Sequence, residues 1–250
     1  MNTIFEISLV IVTGVFCGFV NTLAGSGSVI SLPLLIFLGL EPHVANATNR
    51  VAIFLQSVSG TYQFHKKKKL DTKLGLKMAA IASCGAIIGA NIAVSIDKES
   101  MQFAIGIVMV IMLFVILIKP DKWLKNELVE LKPKLSFFQI IALFGMGIYG
   151  GFIQAGVGIF LLSLLVMGLG LDSIKANAIK VLITAVFNVF AISIFIYHNQ
   201  VNWYWGLILA IGNIIGTQLA IKYGLMFGAK FIRWVVIIMI SISAIVMLIN

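Results

Sequence analysis

Two short stretches of the sequence place a basic residue and amide side chains inside apolar surroundings. The first is "EPHVANATNR" at 41–50, and the second is "DSIKANAIK" at 172–180. In the first stretch Asn46 and Arg50 are four residues apart and share one face of a helix, with Asn49 beside them. A cation flanked by amide N–H donors is suited to binding the oxygen atoms of a small anion.

The second stretch continues as a polar stripe along one predicted helix. Its members are Asn177, Lys180, Thr184 and Asn188. Arg50 and Lys180 each lie about eight or nine residues inside their helices, which places both ~12 to 13 Å into a ~30 Å hydrocarbon core. The alternative is structural: the amides and hydroxyls bond across helices, and the cations extend to the membrane surface.

A glycine-rich stretch, "VNTLAGSGSVI" at 20–30, precedes the first of these segments. It lacks the Lys-Ser/Thr ending of a phosphate-binding loop, which argues against a nucleotide site. Gly25, Ser26 and Gly27 favour a helix that is interrupted inside the membrane, with free backbone amides facing a cavity. Close packing of helices through small residues is the alternative. A related stretch, "IQAGVGIF", occupies 153–160 in the second half.

The composition shows what kind of element must position these residues. The chain has 250 residues, of which 60% are hydrophobic and only 11% are charged, and its mean hydropathy is +1.09. Soluble domains have about 25% charged residues. The sequence therefore predicts an all-α polytopic integral membrane protein. Its 18 basic residues outnumber its 9 acidic ones, which we interpret as orienting the chain in the bilayer rather than as binding nucleic acid.

Apolar runs predict about five hydrophobic segments in each half of the chain and 8 to 10 membrane crossings in total. The runs lie at about 4–24, 28–40, 44–64, 74–95, 101–119, 137–154, 157–171, 175–197, 203–222 and 230–249. The second run of each half gives only ~20 Å of helix, so we expect it to be tilted, partial or re-entrant. The predicted organisation is a first membrane repeat at 1–119, a cytoplasmic linker at 120–136 and a second membrane repeat at 137–250.

The two halves repeat at a constant offset of 131 residues, which takes Ala24 to Ala155 without a gap. The same shift superposes Gly25 on Gly156, Gly27 on Gly158, Ala45-Asn46-Ala47 on Ala176-Asn177-Ala178, and Gly85 on Gly216. Isolated matches of Gly or Ala are common in membrane chains, but one offset held over about sixty residues indicates a duplication.

Charge predicts the relative orientation of the two repeats. The connection "HKKKKLDTK" at 65–73 carries five lysines, whereas its counterpart "HNQVN" at 198–202 carries none. By the positive-inside rule the first is cytoplasmic and the second is external, so the repeats have inverted topology. We expect the basic loops 65–77 and 119–134 to lie on the cytoplasmic side of the cytoplasmic membrane, with both termini outside.

These motifs resemble the TauE/SafE family of bacterial and archaeal membrane proteins over nearly the whole chain. The resemblance rests on "GFVNTLAGSGSVISLPLLIFLGLEPHVANATNRVAIF", "GAIIGA" and "GGFIQAGVGIFLLSLLVMGLGLDSIKANAIKVLI". It implies transport of small sulfur-containing or organic anions, such as sulfite, thiosulfate, sulfoacetate or other sulfonates. The matching positions are Asn21, Ala24, Gly25, Gly27, Pro33, Asn46, Thr48, Asn49, Gly156, Gly158 and Asn177. The chain departs from the pattern at Ser26, where a third glycine is usual, and at Leu164, the counterpart of Pro33.

The combined prediction is a secondary transporter of small anions that works by alternating access. The candidate substrate-binding residues are Asn21, Gly25, Ser26, Gly27, Asn46, Thr48, Asn49, Arg50, Gln154, Gly156, Gly158, Asn177, Lys180, Thr184 and Asn188. The alternatives are an anion channel and a transporter of non-sulfur organic anions. We expect no enzymatic activity, metal or cofactor. The expected partners are the small anion, the lipid bilayer and a second copy of the chain in a homodimer.

Overall fold

A computed structural model describes residues 3–117 and 135–223, which are almost entirely helical. The first half contains α1 Thr3–Leu23, α2 Ser28–Phe37, α3 Pro42–Lys66, α4 Thr72–Ser95 and α5 Lys98–Leu117. The second contains α6 Phe137–Phe152, α7 Val157–Ser163 with a π-helical continuation Leu164–Gly168, α8 Ser173–Tyr197 and α9 Trp203–Tyr223. Most of the predicted linker at 120–136 and the apolar run at 230–249 lie outside the described residues.

The lengths and compositions of these helices confirm an all-α polytopic membrane protein. Within the described ranges, five stretches are long and apolar enough to cross a membrane, namely Thr3–Leu23, Thr72–Ser95, Lys98–Val115, Ser173–Tyr197 and Trp203–Tyr223. Helix α3 is as long as α8, with 25 residues. It is not among the five, because it carries the polar residues of the first candidate stretch.

Local signals explain where the two candidate helices begin. Pro42 occupies the first turn of α3, where its missing N–H breaks no hydrogen bond. Asp172 caps α8, because its Oδ1 accepts from the backbone N–H groups of Ile174 and Lys175 at 3.1 and 3.0 Å. These equivalent starts place Arg50 and Lys180 in the first half of their helices.

The backbone repeats with the offset found in the sequence. All left-handed residues in the described ranges form three pairs that are 131 positions apart: Gly25 with Gly156, Gly39 with Gly170, and Lys68 with Asn199. Helices α3 and α8 also begin and end at positions related by this shift. The duplication therefore extends to the turns, where left-handed backbone is least dictated by apolar periodicity.

The equivalent helices α3 and α8 run in opposite directions. The residues that follow α3, from Lys68 to Lys77, line one cleft together with Lys175 near the start of α8. At the other end, the backbone N–H of Asn202, just after α8, donates to Thr48 Oγ1 near the start of α3 at 2.9 Å. The halves are therefore inverted relative to each other, as the lysine distribution predicts.

Glycines bring the long helices of opposite halves to backbone contact. Helix α1 packs along α9, and α6 packs along α4. A Cβ atom on Gly18 would overlap the Asn213 carbonyl, and one on Gly151 would overlap the Ala86 carbonyl. In each pair, residues further along one helix contact residues further along the other. Gly14 contacts Leu209 and Gly18 contacts Asn213, whereas Gly147 contacts Ala82 and Gly151 contacts Ala86. Both pairs are therefore parallel, with small residues at the crossing.

The short helix α2 runs back along α1, since Gly27 packs on Cys17 and Asn21. Helix α3 lies parallel to α9, because Thr48 is near Gly206 and Gly60 is near Thr217 further along. Since α1 also runs parallel to α9, α1 and α3 begin at the same face of the protein. Helix α2, ~15 Å long for its ten residues, must therefore return towards the face from which α1 came.

Candidate functional site

The two interrupted helices meet near the centre of the protein. Gly25 follows α1 and Gly156 precedes α7, both with left-handed backbone at φ 81° and 77°. Gly25 also packs directly on the backbone of Gly158, and a Cβ on Gly27 would overlap the Cys17 carbonyl. Both stretches therefore lack helical structure at Gly25, Gly27 and Gly156, and free backbone amides facing a cavity stay a prediction. The alternative reading, close packing through small residues, also holds at these glycines.

Lys180 from the second half binds the end of α1 in the first. Its Nζ donates to the carbonyl oxygens of Asn21 and Thr22, both at 2.9 Å, and to Asn177 Oδ1 at 2.7 Å. Asn21 and Thr22 belong to the last turn of α1, where carbonyls lack partners within the helix, although the Asn21 carbonyl also accepts from the Gly25 N–H at 3.0 Å. A cation at this negative end of the helix dipole is electrostatically favourable.

Arg50 makes the reciprocal arrangement at the end of α6. Its Nη1 donates to the Gly150 carbonyl at 2.6 Å and to Gln154 Oε1 at 3.3 Å, and its Nη2 donates to the Gly151 carbonyl at 2.8 Å. The guanidinium carbon lies 4.9 Å from the centre of the Phe195 ring, which is a cation–π distance. The guanidinium is thus held in one orientation by backbone, amide and ring together.

The two Ala-Asn-Ala asparagines support these contacts differently. Asn46 Nδ2 donates to the Phe152 carbonyl at 2.8 Å, whereas Asn177 accepts from Lys180 through its Oδ1. The Phe152 and Asn21 carbonyls occupy equivalent positions under the 131-residue shift. The third helix of each half therefore contacts the helix break of the other half. From α3, Asn46 bonds the Phe152 carbonyl, whereas from α8 Lys180 bonds the equivalent Asn21 carbonyl.

The site contains two buried basic side chains. Arg50 is 0% exposed and Lys180 is 2% exposed, and no Asp or Glu is buried anywhere in residues 3–117 or 135–223. The nearest acids in sequence pair at the surface instead: Glu41 with Lys98 at 3.2 Å, and Asp172 with Lys175 at 3.5 Å. Backbone carbonyls therefore solvate the two cations without neutralising their charge.

Two buried donors beside this centre have no hydrogen-bond partner among the described residues. They are Asn49 Nδ2 and Arg50 Nε. The amide group of Asn49 is oriented by its oxygen, because Oδ1 accepts from Ser31 Oγ on α2 at 2.7 Å. Buried polar groups are nearly always paired, and an unpaired donor is costly. Asn46 Oδ1, an acceptor on the same helix, is also unpaired.

The structure separates the predicted residues into two groups. The first group contacts the breaks or the helices beside them, and its members are Asn21, Asn46, Asn49, Arg50, Gln154, Asn177 and Lys180. Thr48 instead accepts from the Asn202 backbone N–H, and Asn188 Nδ2 donates to the Thr184 carbonyl within its own helix at 2.9 Å. The polar stripe along α8 therefore divides, with only its first two members bonded at the break.

Sequence reasoning missed Gln56 and Ser31 as members of this network. Gln56 Oε1 accepts from Asn21 Nδ2 at 3.4 Å, and both Gln56 and Ser31 are 1% exposed. Polar residues within apolar helices were the available signal, because they normally face the protein interior. Among the described residues, no group of three or more His, Cys, Asp or Glu side chains is arranged to hold a metal ion.

Comparison with known proteins gives a consistent set of matches. The family model described as "Sulfite exporter TauE/SafE" matches residues 10–247. "Probable membrane transporter protein YfcA" of Escherichia coli K12 is 26% identical over 97% of this chain and 91% of the relative. "Probable membrane transporter protein ORF9" of a Sinorhizobium species is 24% identical over 93% of this chain and 88% of the relative. A "Probable membrane transporter protein" of Haemophilus influenzae is 25% identical over 93% and 91%. No solved structure matches.

Proposed function

The chain belongs to the TauE/SafE sulfite exporter family and is a multi-pass membrane transporter, and we propose that it carries small sulfur-containing anions across the cytoplasmic membrane. The proposed substrates are sulfite, thiosulfate, sulfonates and sulfoacetate. It acts as a secondary transporter rather than as an enzyme, and the substrate binds where the two interrupted helices meet.

The observation that carries this proposal is the unbalanced charge of Arg50 and Lys180. A buried ion without a counter-charge costs several kcal/mol even after the surrounding structure has relaxed. Both cations are buried, whereas the described acids are not. An oxyanion between them would supply the missing negative charge, and its oxygens would accept from Asn49 Nδ2 and Arg50 Nε, which are otherwise unpaired.

We infer that alternating access uses the two short helices that follow the breaks. Helices α2 and α7 each start at a break and lead to opposite faces, since the two halves are inverted. Movement of α7 away from Gly25, or of α2 away from Gly158, would open the site to one side, while the other short helix keeps it closed. Lys180 and Arg50 then have two roles. They hold the ends of α1 and α6 in place, and they attract the anion.

Flux into proteoliposomes tests the proposal. We expect wild-type protein to move radiolabelled sulfite, thiosulfate or a sulfonate, and Arg50→Ala and Lys180→Ala each to reduce the flux at least tenfold. Lys98→Ala is the matched control, because it removes a lysine that is exposed and paired with Glu41. Size-exclusion profiles identify any variant that fails to fold, and Arg50→Lys retains the charge at that position.

The results separate the proposal from its alternatives. Wild-type flux in both alanine variants would overturn the site. Uptake of carboxylates in place of every sulfur anion would make the substrate a non-sulfur organic anion. Single-channel currents far above carrier turnover would identify an anion channel. The cytoplasmic position of loops 65–77 and 119–134 and the homodimer stay predictions.

A further inference from the structure

A lysine-rich cleft lies at the face of the protein where α3 ends and α8 begins. It encloses about 500 Å³ and is lined by five lysines and one acid: Lys68, Lys69, Lys73, Lys77, Lys175 and Asp71. Asp71 is engaged in capping α4 through Leu74 N–H at 3.0 Å. Among the described residues, Lys69, Lys73 and Lys77 have no ion-pair partner. The cleft therefore concentrates positive charge that the protein does not neutralise.

A second cavity of about 500 Å³ adjoins this cleft and is mostly apolar, although Thr61, His65 and Thr72 also line it. It is lined mainly by Phe54, Val58, Tyr62, Leu182, Val186 and Val189. Leu70 lines both cavities, so they are adjacent. Val58 and Val189 are 45% and 47% exposed. In a membrane-embedded protein such side chains face lipid, so the groove opens to the bilayer.

The two cavities form one track that runs from the protein surface into the membrane. On α8, Lys175 and Ile179 line the lysine cleft, whereas Leu182 and Val189 line the apolar groove. With Val186, which also lines the groove, these positions are three or four residues apart, so they share one helical face. From Lys175 to Val189 the track extends ~21 Å along the helix axis. Its charged end and apolar end match a headgroup and an acyl chain in order and in length.

We propose that this track binds one anionic phospholipid, with its phosphate among the lysines and one acyl chain in the groove between α3 and α8. A soluble phosphate compound would use the lysine cleft but would have no use for the apolar groove. The opposite face of the duplicated fold lacks the feature, since Asn199, Gln200, Tyr204 and Ile208 replace Lys68, Lys69, Lys73 and Lys77 under the 131-residue shift. The site therefore belongs to one membrane leaflet, which the positive-inside rule identifies as the cytoplasmic one.

Native mass spectrometry of the full-length protein in mixed micelles tests the proposal, with phosphatidylglycerol and phosphatidylcholine as probes. We expect one tightly held phosphatidylglycerol and no equivalent phosphatidylcholine. The variant Lys69→Gln/Lys73→Gln/Lys77→Gln should weaken phosphatidylglycerol binding at least tenfold, because each lysine near an anionic headgroup contributes roughly a factor of five. The control Lys66→Gln/Lys98→Gln/Lys222→Gln removes equal charge outside the cleft and should retain binding.

A bulky substitution in the groove distinguishes a lipid from a soluble ligand. Val58→Trp should reduce phosphatidylglycerol binding, whereas Ile88→Trp on α4 should not, although both side chains are 45% exposed. Unchanged binding in the triple lysine variant, or an equal loss in its control, would overturn the proposal. If glycerol 1-phosphate displaces the lipid at equal concentration and Val58→Trp has no effect, the occupant is a soluble phosphate compound and the lipid assignment is wrong.

Discussion

Gly25 and Gly158 lie backbone against backbone, one from each half of the protein. A Cβ atom on Gly158 would lie 2.5 Å from Gly25 Cα, which is closer than real Cβ contacts allow. The two helix breaks therefore touch at this point. Any conformational change that opens the site to one face must separate these two residues or slide one past the other.

Replacing Gly25 by alanine should disrupt the protein more than replacing Gly39. Both glycines have left-handed backbone, at φ 81° and 89°, so both variants incur ~1 to 2 kcal/mol of strain. Only Gly25 is also enclosed, whereas a Cβ on Gly39 would have nothing within 4 Å. Thermal unfolding in detergent should show Gly25→Ala losing clearly more stability. Equal losses would mean that the contact with Gly158 contributes nothing.

Glycines at the crossings of α1 and α9 should be intolerant of a methyl group. Gly18→Ala would place a Cβ atom on the Asn213 backbone, whereas Gly145→Ala on α6 meets nothing within 4 Å. We expect Gly18→Ala to destabilise by about 1 to 3 kcal/mol through overpacking, and Gly145→Ala to be neutral or stabilising by about 0.5 to 1 kcal/mol. Unfolding curves of the two variants provide the check. A tolerated Gly18→Ala would show that α1 and α9 do not pack this closely.

Introducing a carboxylate at Asn49 should imitate the bound anion. Asn49→Asp keeps the oxygen that accepts from Ser31, removes the unpaired Nδ2 donor and adds a negative charge beside Arg50. We expect the thermal stabilisation produced by sulfite or thiosulfate to disappear, and the flux with it. Asn91→Asp is the control, because Asn91 is exposed and bonds only its own helix. Anion-dependent stabilisation that survives in Asn49→Asp would exclude this residue from the site.

Cysteines at equivalent positions should be labelled from opposite sides of the membrane. Lys66 and Tyr197 end α3 and α8 and are related by the 131-residue shift. In a background without Cys17 and Cys84, a membrane-impermeant maleimide added to intact cells should modify Tyr197→Cys and spare Lys66→Cys. Permeabilised cells should show both modified. Labelling of both variants from the same side would contradict the inverted arrangement.

The sequence alone predicted much of this architecture, for identifiable physical reasons. Apolar run length located the helices, because a span must match the hydrocarbon thickness. A duplicated backbone needs left-handed residues at the same turns, which Gly25 and Gly156 supply. The lysines of 65–73 predicted the inversion that the antiparallel α3 and α8 display. The start signals before residues 42 and 173 predicted where α3 and α8 begin.

Only the tertiary structure decided what those two cations touch. Lys180 meets the Asn21 carbonyl, 159 residues away, and Arg50 meets the Gly150 carbonyl, 100 residues away. Helical periodicity reports which face of one helix is polar, but not which helix of the other half crosses that face. That crossing depends on how closely the glycines let the backbones approach. For the same reason Thr48, on a polar helix in the same motif, bonds to the Asn202 backbone rather than at the break.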